Sequence, residues 1–406
     1  MKQGSSLVSS FLRAGIAGRG SLCIVCLLLL CGFFFCCGAS AQKRAVIITI
    51  DAPGAGTSRD QGTGAAAVSS SGTVTGSFTD SSFGCHGFLR HVDGAYVIFD
   101  TPLGQHGVST CPQTASINRA GMITGVERDR SFGCASWPDT AGGCGGSHGF
   151  IRRPDGAIIV FDGLIDPTRA NPGTDPVGIN AHGAIVGRYW TADQGSSSTS
   201  FLRSPDGTFI TFDAPGTNNQ ANPSAVGINS EGSIVGNFSD SNFLPHGYLR
   251  APDSTFKIID APGAVNGTRV VGINSKGVLA GMFWDANTNH GYTRAPDGTF
   301  TSFDVPGACA GCIRVVCLND RGTVAGTFLA SDSSGFFAQH GFLRTADGMI
   351  TIFDVPGAVR VFFGHVLPFV GVSGINSSGA AVGSYSDENG VSHGYLRLPS
   401  DAEDEQ

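Results

Sequence analysis

Charge is scarce in this sequence. Asp, Glu, Lys and Arg make up 14% of the 406 residues, the net charge is −7, and no basic run occurs. A nucleic-acid binder is thereby excluded, since binding a phosphate backbone draws on clustered Lys and Arg. A chain kept disordered by charge needs low hydrophobicity, and a 41% hydrophobic content excludes that class too. The 60 glycines follow no three-residue period, so the chain is not collagen-like. Gly and Pro recur too often for long helices, which leaves short strands broken by turns. No calcium-loop or His-Glu-x-x-His spacing is present. The glycine-rich stretch Gly54 to Gly64 lacks the Gly-Lys-Ser/Thr ending of a phosphate-cradling loop. We expect no cofactor and no metal.

One long apolar run exists, at the N-terminus. Lys2, Arg13 and Arg19 precede the apolar stretch Leu22 to Phe35, and no acidic residue occurs before Asp51. Ala39-Ser40-Ala41 supplies the small residues that a signal peptidase reads, with Gln42 as the mature start. The run is short for a span of about 20 residues, which favours a cleaved signal peptide over residues 1–41. An uncleaved membrane anchor is the alternative. The expectation is a secreted or periplasmic protein. Cleavage removes three basic residues, taking the net charge from −7 to −10, and five of the 12 cysteines. Seven remain, an odd number, in a compartment that permits disulfides.

The rest is one unit copied seven times. His-Gly-aromatic-Leu-Arg recurs from His86, His246, His340 and His393, with close variants from His148 and His290, and a seventh copy, Thr199 to Arg203, without the His-Gly pair. Next come an Asp-Gly turn and a β-rich run ending in Asp, at Asp51, Asp100, Asp162, Asp213, Asp260, Asp304 and Asp354. Gly-Ile-Asn then appears at Asn180, Asn229, Asn274 and Asn376, degenerate around Asn118 and Asn319 and blurred at Val68-Ser69. An Ile-Val-Gly-like run closes the unit. Each copy offers four strands split by turn chemistry, and the closing aspartates lie 44 to 62 residues apart. That period fits a blade of a β-propeller.

The fold expected is all-β: a seven-bladed β-propeller of four-stranded antiparallel blades. Blade-to-blade crossings fall between the closing Asp and Gly-Ile-Asn. The strand Ala45 to Asp51 normally follows His-Gly-Phe-Leu-Arg, and the chain ends on the strand His393 to Arg397 that normally precedes it. Pairing these two would close the ring and leave no exposed edge. An open β-solenoid of the same repeats is the alternative, but it would want capping repeats. The repeat domain spans 42–398, and 399–406 form an acidic disordered tail. The Gly-Ile-Asn-x-x-Gly-x-x-Val-Gly and His-Gly-Phe-Leu phrases resemble the HAF-type probable extracellular repeats of bacterial exported proteins. That resemblance covers nearly all of the chain after residue 41. It implies export and a β-rich repeat fold without an agreed activity.

Repetition argues against catalysis, because a reaction needs one asymmetric site. Asp before Pro-Gly suits turn capping, Asn before a tight turn can do the same, and His beside Gly can bridge neighbouring strands. Two Gly-x-Ser-x-Gly strings, Gly145 to Gly149 and Gly390 to Gly394, precede strands rather than the helix of a nucleophile elbow. Cys309 and Cys312 suit a loop disulfide, Cys134 with Cys144 and Cys85 with Cys111 are further pairs, and Cys317 is left over. Binding residues are expected where the copies differ. The longest insertions, 134–147, 164–175, 330–339 and 359–370, hold Trp137, Arg169, Phe336, Phe337, Arg360, Phe362, Phe363 and His365. Trp190 and Trp284 follow the same strand in their units and read as packing residues. Two functions stay open. One is a non-enzymatic, monomeric binding or scaffold module taking a glycan or protein through its rim loops. The other is an exported hydrolase or lyase with acidic or His side chains near the central channel.

Overall fold

Each Gly-Ile-Asn copy ends a strand at a turn that its own side chain builds. Asn229 Oδ1 accepts the backbone N–H groups of Glu231 and Ser233 at 3.1 and 2.9 Å, and the turn closes through Asn229 N–H to Ser233 O at 3.0 Å. Gly232 sits in this turn at φ +86°, a conformation that a Cβ would strain. The chain then doubles back as the Ile-Val-Gly strand, turns again into the His-Gly strand, and finally into the Phe-Asp strand. The four are hereafter the first to fourth strands of a repeat.

The computed structural model describes residues 45–102, 110–129, 147–163, 173–190, 198–214, 223–331, 335–362 and 365–400. Among these residues the regular structure is all strand. Three four-stranded antiparallel sheets stand alone, beginning at Ser224–Ile228, Thr268–Ile273 and Ile313–Leu318. Two eight-stranded sheets each join two such four-strand runs through a single parallel pair, Gly173↔Ser147 in one and Gly62↔Ser392 in the other. In the second of these, the final strand Ser392–Leu398 pairs antiparallel with Val46–Ile50, from Val46↔Leu398 to Ile50↔Gly394. The expected terminal strand pair is therefore present, as is the crossing after the closing Asp. Phe256–Ile259 lies in one sheet and Thr268–Ile273 in the next. A hairpin, Val359–Phe362 with His365–Pro368, decorates the last such link.

Packing explains the invariant small residues. The aromatic ring of each third strand, such as Phe88, Tyr248 or Phe342, is fully buried. It lies over the glycine of the second strand, where an added Cβ would meet both that ring and a first-strand carbonyl: Phe88 and Gly64 O at Gly76, Tyr248 and Ser224 O at Gly236. Opposite these glycines every first strand shifts register by one residue, as between Val270 and Gly272. Each buried ring contributes about 1.5–3 kcal/mol. The cores lie between successive repeats: Leu89 and Phe99 cluster with Ile117, Ile123 and Phe150 of the next sheet. Ile50, Val382 and Leu396 from the last repeat cluster with Ala65, Val74 and Phe88 from the first.

Arginines reinforce these seams. Arg152 lies 5.2 Å over Phe99, Arg203 5.0 Å over Phe161, Arg344 4.9 Å over Phe303 and Arg397 5.1 Å over Phe353, each reaching the fourth strand of the preceding repeat. Where that position is Ile259, Arg294 instead covers Phe300 of its own repeat at 5.7 Å. The same phenylalanines lie on the His-Gly glycines, so that a Cβ on Gly341 would strike the Phe353 ring. In the deviant copy Ser200 replaces this glycine, and the facing Phe212 is only half-buried, whereas Phe99, Phe161, Phe303 and Phe353 are buried.

Candidate functional site

Strand direction sorts the connections onto two ends of the sheets. The turns after first and third strands share one end, and their lengths and backbone hydrogen bonds repeat from copy to copy. At the third-to-fourth turns, Asp93, Asp155, Asp206, Asp253, Asp297 and Asp347 each accept the N–H two residues on. At the first turns, each repeat asparagine does two jobs. Its Oδ1 caps its own turn, while its Nδ2 donates to the backbone carbonyl of the next copy's Asn: Asn118 to Asn180 at 3.0 Å, Asn180 to Asn229 at 3.2 Å, Asn229 to Asn274 at 3.3 Å, Asn274 to Asn319 at 3.1 Å and Asn319 to Asn376 at 2.9 Å. Asn376 donates to Ser69 O at 3.0 Å. A cavity of about 940 Å³ is lined by these Asn turns, including Ser70, Arg119, Asp320 and Ser377. Its asparagine amides are committed to one another, so this end is built for architecture.

The opposite end carries the repeat histidines and the strand ends that flank the long insertions. Each repeat His donates its Nδ1–H to the carboxylate of the closing Asp fourteen residues on: His86 to Asp100, His148 to Asp162, His290 to Asp304 and His340 to Asp354 at 2.7 Å, His246 to Asp260 at 2.8 Å. The first and last strands supply a sixth pair, His393 with Asp51 at 2.8 Å. Six of the seven closing aspartates thus pair with histidine across the third and fourth strands, where the sequence suggested turn capping; Asp213, in the copy without His-Gly, is the exception. The imidazoles also stack on second-strand aromatics, as His246 does on Phe238 at 5.2 Å and His393 on Tyr385 at 5.1 Å. In four repeats a second carboxylate, from the loop after the second strand, faces Nε2: Asp80 and Asp285 at 3.4 Å, Asp240 and Asp387 at 3.9 Å. Burial pulls the His290 pKa down, but hydrogen bonds to Asp304 and Asp285 outweigh it and hold the pKa above the ordinary 6.5. For Asp285, backbone N–H bonds from Thr288 and Asn287 keep its carboxyl below the usual range.

Of the expected rim residues, Phe337 is 53% exposed and Phe336 half-buried. Arg360 is exposed, with its guanidinium 5.1 Å over Phe369. Trp137, Arg169 and Phe363, and the side chains of Phe362 and His365, fall outside the described residues. Cys309 and Cys312 form a disulfide, and Cys85 is disulfide-bonded. Cys134, Cys144 and the Cys111 side chain lie outside the described residues, so their pairing is left as an expectation. Cys317 is a free thiol whose pKa burial pushes up to about 12, which makes it a packing group rather than a nucleophile. Trp190 and Trp284 are half-buried beneath Arg188 and Arg269.

Two features escaped the sequence. Phe83 and Phe243 stand 57% and 76% exposed in the loops of Asp80 and Asp240. Glu127 occupies, in one repeat only, the second-strand position that is Phe or Tyr in the other six. It is fully buried and accepts a hydrogen bond from the Thr101 hydroxyl, while its Oε2 has no partner. Its register neighbour is His148. Aligning the copies position by position would have flagged all three residues.

No protein-family model matches the chain, and no curated protein sequence matches it. Solved structures do. A catalytically inactive variant of virginiamycin B lyase from Staphylococcus aureus with quinupristin is 14% identical, with a TM-score of 0.51, covering 88% of this chain and 100% of its own. A streptogramin B lyase structure is 15% identical, with a TM-score of 0.51, covering 87% of this chain and 98% of its own. Likeness at this identity concerns the fold alone, and that fold is the β-propeller.

Proposed function

We propose that the chain is an exported, closed seven-bladed β-propeller that binds a ligand through its loop face. Seven repeat copies, a core shared by the last and first repeats, the Asn turns around one cavity, and the paired termini together support a ring. The N-terminal run and the HAF-like phrases support export. One observation carries the functional reading: loop length varies at one end of the sheets and is constant at the other. The Asn and Asp turns at the other end repeat almost unchanged, whereas the insertions, exposed aromatics and half-exposed His–Asp pairs emerge together, the usual layout of binding loops on a rigid scaffold.

The test is thermal shift of the purified protein against neutral oligosaccharides, cell-wall fragments and divalent metals. A saccharide- or peptide-specific shift without turnover, lost in loop-face variants such as Phe337→Ser and kept in Asp320→Ala, is the expected result. Loss of stability with a chelator, or ligand binding abolished by Asp320→Ala alone, would overturn it. A catalytic reading draws on Glu127, a buried, non-repeated carboxylate with an unpartnered oxygen, set beside the His148–Asp162 pair. It requires turnover of a ligand by the wild type and not by Glu127→Gln.

A further inference from the structure

Among the described residues, four non-glycines adopt positive φ: Asp60, Phe83, Phe243 and Ser254. Asp tolerates that region well, and Ser254 gains a hydrogen bond from Arg250 at 2.7 Å. The two phenylalanines have neither compensation. They occupy the same position of the same turn. Asp80 Oδ1 accepts the N–H groups of Ser82 and Gly84, Phe83 N–H donates to Asp80 O at 3.1 Å, and Asp240 holds Asn242, Leu244 and Phe243 identically. A third copy of this turn, closed by Asp387, places Gly390 there at φ +79°, without strain. The fold therefore offers glycine as the relaxed solution, and two repeats instead hold a solvent-facing aromatic ring in a disfavoured backbone state. Strain retained at an exposed side chain is a mark of function.

The surroundings select the chemistry. Each phenylalanine lies in the loop whose aspartate turns its other oxygen toward a half-buried histidine, Asp80 to His86 and Asp240 to His246, with Asp100 and Asp260 on the far side of the imidazoles. These groups accept hydrogen bonds from hydroxyls and repel anions. A single ring beside such acceptors is too small for a protein interface, which buries about 800 Å² per partner. The net charge of −7 and the absence of basic runs disfavour anionic membranes. We propose that Phe83 and Phe243 are stacking platforms of two equivalent subsites for neutral saccharides, the ring meeting the apolar face of a pyranose and the Asp–His–Asp groups its hydroxyls. The inference rests on the loop-face reading and names its ligand class.

The experiment uses the full chain and the double variant Phe83→Gly, Phe243→Gly. Gly390 shows that the turn accepts glycine, so the variant folds, with a melting temperature equal to or above the parent. The probes are chitotriose, cellotriose and maltotriose, titrated by calorimetry and followed by saturation-transfer NMR on the protein's aromatic protons. The expected result is binding of at least one trisaccharide, weakened about tenfold or more in the double variant. Three results would overturn the proposal: no binding by any of the three, affinity unchanged in the double variant, or phosphatidylcholine vesicles that retain the parent and not the variant. Saccharide binding that survives the double variant but is lost with Phe337→Ser removes this inference and leaves the loop face standing. Binding lost only with Asp320→Ala removes both.

Discussion

Completing the asparagine relay should stabilise the chain. Six inter-repeat bonds run from Asn118 through Asn376 to the carbonyl of Ser69. Ser69 keeps the local cap, accepting Thr73 N–H at 3.1 Å, but a serine has no amide to pass on. Its turn closes as the others do, through Ser69 N–H to Thr73 O and Gly72 N–H to Ser69 O. Ser69→Asn can therefore donate to Asn118 O. That carbonyl already accepts Gly121 N–H, just as Asn180 O accepts Gly183 N–H together with the Asn118 amide. One net intramolecular hydrogen bond contributes about 1 kcal/mol, or roughly 1–2 °C in melting temperature for a chain of this size. The reverse changes calibrate it. Asn376→Ser should cost about 1 kcal/mol by breaking the link alone. Asn274→Ala, which also strands the N–H groups of Lys276 and Val278, should cost about 2–4 kcal/mol. Urea denaturation followed by circular dichroism measures all three. A Ser69→Asn variant no more stable than its parent, alongside an Asn376→Ser variant that loses nothing, would refute the relay.

Two other perturbations follow from the packing and the charges. Gly341→Ala should destabilise by about 1–3 kcal/mol, because its Cβ enters the Phe353 ring, and Phe353→Leu in the same chain should recover part of that loss in the same urea assay. The His290 pair has a definite sign. Its folded pKa is raised, so the stability it contributes is full below the unfolded value of 6.5 and is lost as pH rises through the folded one. His290→Gln should therefore reduce the fall in unfolding midpoint between about pH 6 and pH 8, and an unchanged pH profile would contradict the Asp304 and Asp285 assignment.

Strand identity and the pairing of the first strand with the last were legible because turn residues and apolar runs recur in one order, and because Val46–Ile50 carries the pattern of the strand that follows His-Gly-aromatic-Leu-Arg. Local chemistry was legible only halfway. An Asn before a tight turn announces its cap, but its amide reaches a carbonyl 45 to 62 residues away, or 307 for Asn376, a relation that only the stacked sheets create. Asp before Pro-Gly looks like a turn residue, and its histidine partner sits across a hairpin. The departure at Thr199-Ser200 is visible in the sequence, whereas its consequence for Phe212 depends on a ring lying over a missing Cβ. Phe83 and Phe243 hid among Ser and Asn because composition does not report φ. Glu127 hid because a single acid draws notice only when set against the aromatic it replaces.

The most direct test of the proposed ring is a covalent clasp between its first and last strands. Val46 lies opposite Leu398 in the terminal strand pair. Val46→Cys with Leu398→Cys, oxidised at low protein concentration and mapped by mass spectrometry of non-reduced peptides, should give one intramolecular disulfide in a monomer that unfolds later than its reduced form. Absence of that peptide, or a bond found only between two molecules, would contradict the account.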